Sequence, residues 1–463
     1  MNIETLKSNG KPVHFLLLLA FLTAPYFYIR DGGFDFSKGS SFSLVDLFLM
    51  SSLVWAGYNF LRKRFALNKG LMIMLGVGSI FTGLCILSGV TAQMFGANSH
   101  VNWRTLFSGT IQYSFIFIAF PVLAAFFLSQ SNVRTAIRYI ALGYIPTMLI
   151  TIFLASETAF PSFREMFFSA NRAMGTYGNA NSLAEVALIT ISYYVYLIAT
   201  EKGFWQKVGY VGLIALLICL FLSGSFSGAI ALVVIFIVNI ILLAIWQKHP
   251  LRGHIKSLLL QSVLVVFLFS CSYAAISVYA PYIVGKVVER IFPHTINVVP
   301  NPPQEIAPGQ SVEIAVAAQP VVVAPPPTVL QETINTRMEL NHRAIAKIKE
   351  RSGGLFYGHG LRQTSSMPEF YFGENGLDVH LLYLLLWVEG GLILAAAFGI
   401  YLLLLLKNCV NIAKAQPAEA ISIGTGVLSL ALFGLFLPHD YLRYFWVPLL
   451  PAFITTKETV VAK

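Results

Sequence analysis

Charge is scarce in this sequence. Only 11% of its 463 residues are Asp, Glu, Lys or Arg, where an ordinary soluble domain carries about 25%. The hydrophobic share is 56% and the mean hydropathy +0.71. Such values exclude most soluble enzymes, disordered chains and simple nucleic-acid binders, and make lipid the main solvent. Cysteine is scarce too. Cys85, Cys219 and Cys271 lie in apolar stretches and Cys409 beside one, with none in the long polar segment. No disulfide framework or zinc spacing follows from that distribution. His342, His359, His380 and Glu374 share one loop, but there is no H-E-x-x-H and no compact His/Cys spacing, so no metal is expected. The phosphate-binding sequence G-x-x-x-x-G-K-[ST] is missing, which argues against an ATP-driven pump.

Long apolar runs are plentiful. Twelve occur, at about 13–29, 43–60, 70–91, 106–128, 135–155, 181–199, 207–223, 227–246, 257–280, 379–406, 419–437 and 441–456. Most approach or exceed the roughly 20 residues that a helical span needs. They are apolar throughout rather than alternating, so they read as helices and not as barrel strands. The expected fold is an all-α integral membrane protein of about 12 transmembrane helices. Residues 1–280 hold the first nine, 281–378 form a large outer loop, and 379–463 hold the last three. The first run follows Lys7 and Lys11 like a signal peptide, but lacks a convincing small-residue cleavage site and is read as a helix.

The net charge is +10. With a cytoplasmic N-terminus, the inner loops receive Arg62, Lys63, Arg64, Lys69, Arg134, Arg138, Lys202, Lys207, Lys248, Arg252, Lys256, Lys407 and Lys414. The short outer loops receive few positive charges: Arg30 and Lys38, then Arg104, then Arg164 and Arg172. Excess Lys and Arg on the inner side is the membrane-protein rule, so both termini are expected in the cytoplasm. In the long outer loop, 298–331 is rich in Pro, Val and Ala and reads as an extended insertion without chemistry. A helix is expected over 333–350, with Ile334, Met338, Ile345 and Ile348 on its apolar face and Gly353-Gly354 as its end.

Polar residues capable of chemistry gather on the outer side. Residues 171–182, Asn-Arg-Ala-Met-Gly-Thr-Tyr-Gly-Asn-Ala-Asn-Ser, lead into the sixth run. Arg172 beside a helix N-terminus is a natural anion site, and equally a capped loop with a snorkelling arginine. Arg337 and Arg343 decorate the loop helix and are a solvated face on composition alone. Gly358-His359-Gly360 is a tight turn that follows no strand, so it implies no dinucleotide fold. His380 enters the tenth run, where an imidazole can serve as a base near neutral pH or simply bond a loop carbonyl. Asp440 and Arg443, three apart before the last run, can pair with each other.

These pieces occur in an order that resembles the O-antigen ligase and polymerase superfamily of bacterial envelope enzymes, over about 165–405. The family has an Arg, then Gly, ahead of Asn-x-Asn and a span, matched by Arg172, Gly175, Asn179 and Asn181. Its Ser-rich turn is matched by 223–228, with Phe226 where an Arg usually stands. Its Arg-led loop helix is matched by Arg337-Met338-Glu339-Leu340, with Asn341 in place of a common Trp. A G-x-G, Gly358 to Gly360, comes next. Then come His380, with Leu381 where Asn is frequent, and the acidic-Gly pair in Glu389-Gly390-Gly391.

The resemblance implies a GT-C-like membrane glycosyltransferase of the bacterial inner membrane, with a periplasmic site and no cofactor. The donor it implies is a glycan on undecaprenyl diphosphate. The acceptor is lipid A-core for a ligase, a second lipid-linked glycan for a polymerase, or a protein hydroxyl, and the sequence leans to the ligase. His380 is then the base, Arg172 and Arg337 bind the diphosphate with Arg343 behind them, and Asn181, Gly358 and Gly360 support them. The tail of the donor needs an apolar groove among membrane lipid. Two other classes stay open. A polyprenyl-phosphate-sugar transferase would use Asp31 and Asp35, and a lipid-linked glycan flippase would show internal repeats and a midplane site.

Overall fold

A computed structural model describes residues 29–30, 33–34, 44–62, 68–95, 101–128, 133–155, 168–169, 172–175, 179–246, 329–350, 352–372, 375–376, 379–436 and 445–453. In chain order the helices are α1 (Leu44–Leu61), α2 (Lys69–Met94), α3 (Trp103–Ser114, a π-helical turn Phe115–Ala119, then Phe120–Leu128), α4 (Val133–Phe153), α5 (Ala180–Thr200), α6 (Phe204–Ser223) and α7 (Phe226–Trp246). The loop helices α8 (Val329–Glu350) and α9 (Ser352–Tyr357) follow, then α10 (Leu382–Ala413) and α11 (Pro417–Phe433). The strands are three two-residue hairpins, β1–β2 (Ile29–Arg30, Gly33–Phe34), β3–β4 (Phe168–Ser169, Arg172–Ala173) and β5–β6 (Tyr371–Phe372, Asn375–Gly376).

Six of the described helices are long and apolar enough to cross a membrane: Lys69–Met94, Trp103–Phe127, Val133–Phe153, Ala180–Thr200, Phe204–Ser223 and Leu382–Ala413. The protein is a multi-pass, all-α membrane protein. Helices also occupy the expected runs 43–60, 227–246 and 419–437, while the runs at 13–29 and 257–280 and the insertion to residue 328 lie outside the described residues. Asparagines start several helices. The side chains of Asn68, Asn102 and Asn179 accept from the backbone N–H of Leu71, Thr105 and Asn181, which satisfies donors that a helix start leaves open. Gly224, left-handed at φ 55°, stops α6.

Helix α5 is the central post: 78% of its apolar stretch is buried, against 28% for α2. A second focus of packing is the π-helical turn of α3. Phe117 contacts Phe81 and Tyr401 with ring centroids 4.4 and 4.3 Å away. Its carbonyl, displaced by the turn, accepts from Tyr401 Oη at 3.3 Å and lies where a Cβ on Gly78 would come within 2.2 Å. Gly78 thus lets α2 and α3 touch backbone to backbone, as small residues do between membrane helices.

The expected twelfth span does not form over the part described. Residues 445–453 run through turns into a 3-10 helix, Leu450–Phe453, with their apolar side chains buried. Pro448 and Pro451 remove two donors and break the α-helical ladder. Such backbone is tolerated at membrane depth only inside protein. Here Tyr193 donates to the carbonyl of Pro448 and Asn408 Nδ2 to that of Ala452 at 3.1 Å.

The helix ends sort into two sets, as alternating crossings require. At one end Glu201, just past α5, is gripped by Arg134 and Arg138 of α4, Arg134 Nε lying 2.6 Å from Oε1. Burial opposes ionisation of this carboxyl, but the two guanidinium groups outweigh it and hold the pKa at about 2. A folded-state pKa below the unfolded one stabilises the fold when the group is ionised. Removing one partner of a fully buried pair costs about 3–5 kcal/mol. Arg134 is 43% exposed, so for Glu201→Gln we expect roughly 2 kcal/mol, read as a lower melting temperature in detergent. That deficit should be complete above about pH 4.5 and shrink as pH falls towards about 2. A deficit that does not change with pH would refute the assignment.

Candidate functional site

The opposite end of the bundle carries the start of α5, the end of α6, the start of α7, the start of α10 and the end of α11. Hairpin β3–β4 lies over α5 and α6 and delivers Arg172. Arg172 Nε donates to the carbonyl of Ser223 at 2.7 Å, and Nη2 to Asn181 Oδ1 at 3.0 Å. Ser223 ends α6, where carbonyls lack helical partners and the helix dipole is negative. The guanidinium therefore bridges the end of one helix and the start of the next in one fixed orientation. The Ser-rich turn is built as a cap. Ser223 Oγ accepts from Ser225 N–H at 3.2 Å, and Ser225 Oγ from Gly228 N–H at 3.1 Å. Ser182, fully buried next to Asn181, has a hydroxyl with no hydrogen-bond partner among the described residues.

Helix α8 starts at Val329, earlier than expected, and its buried stripe is Leu340, Ala344 and Ile348. Of the expected apolar face only Ile348 is buried: Met338 and Ile345 are exposed, and the side chain of Ile334 is outside the described residues. Gly353 and Gly354 do not close the helix but lie inside α9. The stripe packs on Val379, Leu384, Leu385 and Val388 at the start of α10. Helical spacing puts half-buried Arg337 on that same side, one turn before Leu340 and Asn341. The Oδ1 of Asn341 is buried without a hydrogen-bond partner among the described residues.

Arg343 faces elsewhere. Its Nε pairs with Glu339 at 2.8 Å and its Nη1 donates to the carbonyl of Glu369 at 3.0 Å. Lys347 joins this clip through Glu369 at 2.6 Å and Glu350 at 2.8 Å. Burial would lower the Lys347 pKa, but its two carboxylate partners raise it overall. Hydrogen bonding to Lys347 lowers the Glu350 pKa. Arg343 thus braces α8 against 368–370, while Arg337 belongs by helical spacing to the side of α8 that packs on α10.

His380 is half-buried just ahead of α10, whose Leu382 N–H donates to the carbonyl of Gly434 past the end of α11 at 2.8 Å. Three residues on, Tyr383 lines an apolar groove of about 320 Å³ with Val234, Val238, Leu428, Leu432 and Leu435. The groove opens between α7, α10 and α11, directly beneath the segment that carries His380.

Gly358 and Gly360 have φ of 73° and 100°, and a Cβ on Gly358 would lie 2.3 Å from the carbonyl oxygen of Glu389. Both glycines let the loop lie on α10. Sequence reasoning stopped at Gly360, whereas the structure adds Arg362, Gln363 and Thr364. Arg362 Nη1 donates to Gln112 Oε1 at 2.9 Å, and Gln363 Nε2 to Thr105 Oγ1 at 2.9 Å. An Arg-Gln-Thr run two residues after a G-x-G, and a glutamine inside an apolar run, were the signals available. Among the described residues, no three His, Cys, Asp or Glu side chains are grouped to share a metal.

The residues expected from the sequence thus lie in two places at one end of the bundle: Arg172 bonded to Asn181 over α5 and α6, and Arg337 and His380 on the two elements that pack together where the buried side of α8 meets the start of α10. The chain is similar to one known family here. Residues 211–399 match the family model described as O-antigen ligase. The match runs from α6 through α10 and lies inside the region read from the motifs. No curated protein matches the chain.

Proposed function

We propose, starting from the match of residues 211–399 to the O-antigen ligase family, that the protein transfers a glycan from undecaprenyl diphosphate to an acceptor hydroxyl at the periplasmic face of the inner membrane. The acceptor we favour is lipid A-core. The observation that carries the reading is the junction of α8 and α10. The start of α10, which follows His380, packs against the loop helix that bears Arg337 and contributes Tyr383 to an apolar groove.

The groove suits a stretch of polyprenyl chain, with the diphosphate at its mouth. His380 takes the proton of the acceptor hydroxyl as its oxygen bonds the anomeric carbon. The bond from that carbon to the diphosphate oxygen breaks, and its electron pair leaves with the diphosphate. Arg172 and Arg337 meet the charge that develops there, and arginine keeps its own charge next to lipid. A single displacement inverts the anomeric centre. Arg343 takes a bracing role in this scheme, and Asn181 orients Arg172. Ser182 Oγ, next to Asn181 on α5, and Asn341 Oδ1, one turn past Arg337 on α8, are buried without a hydrogen-bond partner among the described residues, and each carries a cost of about 1–3 kcal/mol that a polar ligand would offset.

Purified protein in liposomes, given lipid-diphosphate-linked glycan and lipid A-core, should form glycan-capped lipid A-core without ATP and with a chelator present. Ladders of longer lipid-linked glycan formed without lipid A-core would make it a polymerase. Movement of the donor across the bilayer with no new glycosidic bond would make it a transporter and overturn the reading.

A further inference from the structure

Helix α10 is broken near its start. Gly391 has φ 73° and ψ 177° inside an otherwise continuous helix. A break of this kind strands the carbonyls of the turn before it. Two of them are taken by the loop after α9: His359 N–H donates to Val388 O at 2.9 Å, and Gly360 N–H to Glu389 O at 2.8 Å. The Glu389 side chain holds the same loop. Its Oε2 accepts from Arg362 N–H at 2.7 Å, and its Oε1 accepts from Thr364 Oγ1 at 2.7 Å and Thr364 N–H at 3.3 Å. Glu389 is 3% exposed and Thr364 fully buried, so a polar side chain is placed inside the protein to hold a loop. The backbones meet without room for a side chain: a Cβ on Gly391 would come within 2.0 Å of the carbonyl oxygen of Phe356.

The loop is also tied to its surroundings. His359 Nε2 lies 3.1 Å from the carbonyl of Lys347 in the last turn of α8. Leu361 N–H donates to Ser88 Oγ of α2 at 3.2 Å, and Gln363 Oε1 accepts from Asn102 N–H before α3 at 2.8 Å. Arg362 adopts a left-handed conformation, φ 57°, which is uncommon for a residue with a side chain. That strain persists because the carboxylate takes the N–H groups on both sides of Gln363.

The geometry points to Glu389 as a positioning residue: its carboxylate latches the 358–364 loop into the break of α10, and through His359 fixes the end of α8, hence Arg337, relative to His380. Its catalytic consequence rests on the proposed transfer reaction, whereas the latch itself does not. Glu389 touches the loop, and its effect on the reaction is indirect. A misplacement of about 1 Å in a reacting constellation costs on the order of 10²-fold in rate.

The test reads distance and rate separately. Spin labels on Met338→Cys in α8 and Leu403→Cys in α10, both at exposed positions, report how firmly the two helices are held, with Cys271→Ser as background. Glu389→Ala and Thr364→Val should each broaden the distance distribution. Glu389→Gln, which keeps an acceptor for Thr364, should fall between. Turnover should drop about 10²-fold in Glu389→Ala, with the donor KM little changed. Thr364→Val removes one hydroxyl only, and carries the test if Glu389→Ala does not fold. A distribution as narrow as the parent's in both variants overturns the latch. A broadened distribution with unchanged turnover overturns its positioning role. If the parent transfers no glycan, the functional reading fails while the distances still judge the latch.

Discussion

His380→Ala should lower glycan transfer by about 10²–10⁴-fold, the range that a positioned general base contributes. The loss should fall on kcat, because an alanine leaves the groove and both arginines in place, and donor binding does not use the base. His380→Gln, which preserves size and hydrogen bonding but cannot take a proton, should be no better than His380→Ala. That comparison separates chemistry from architecture. A histidine that merely fastened the start of α10 would be rescued by glutamine and would shift the melting temperature when lost. The start of α10 has its own fastening in the Leu382 N–H bond to Gly434 and the Tyr383 Oη bond to the carbonyl of Ala431 at 2.7 Å. We therefore expect both variants to melt within about 1 kcal/mol of the parent, as substitutions outside a packed core do. Transfer by His380→Ala at the parental rate would remove the base from the mechanism and leave the match of 211–399 to the O-antigen ligase family untouched.

The sequence was legible where physics is local. The loop of 171–182 was readable as a cap, and Asn179 caps α5; the arginine-rich loops mark one set of helix ends, where Glu201 meets Arg134 and Arg138. Hydropathy misread 445–453, because apolar side chains look alike on a helix and on a buried turn. Pro448 and Pro451 were the local warning. On α8 two apolar stripes compete, and the packed one was settled by α10. Leu340 and Ala344 pack on that surface, and Met338 and Ile345 stay exposed. The motif order raised Arg172, Arg337 and His380 as residues of interest and noted Glu389 only as the acidic member of its acidic-Gly pair. It said nothing of what Glu389 holds, since that depends on pairing α10 with a loop 25 to 27 residues earlier and on Ser88, Asn102 and Gln112 far away in the chain.

Arg172→Lys should lower transfer by about 10²–10³-fold, as the loss of one aligned donor at a developing charge does. Charge alone does not predict this, since lysine keeps it. The prediction follows from the fork. Nε is committed to the carbonyl of Ser223 and Nη2 to Asn181 Oδ1, and those bonds set the plane of the guanidinium. An ammonium has no such plane, so it cannot meet both partners and still present an aligned edge to a phosphate. Asn181→Ala, which loosens one side of the fork but leaves the guanidinium, should cost less, on the order of 10-fold. The order parent, Asn181→Ala, Arg172→Lys is the signature of orientation. If Arg172 acted only as a counter-charge, Arg172→Lys would transfer nearly as well as the parent at low salt and lose rate as salt rises. If it were only a strut between α5 and α6, Arg172→Lys would lower the melting temperature and the transfer rate together. A loss of rate in an unchanged, well-folded protein is the outcome that places Arg172 at the leaving diphosphate.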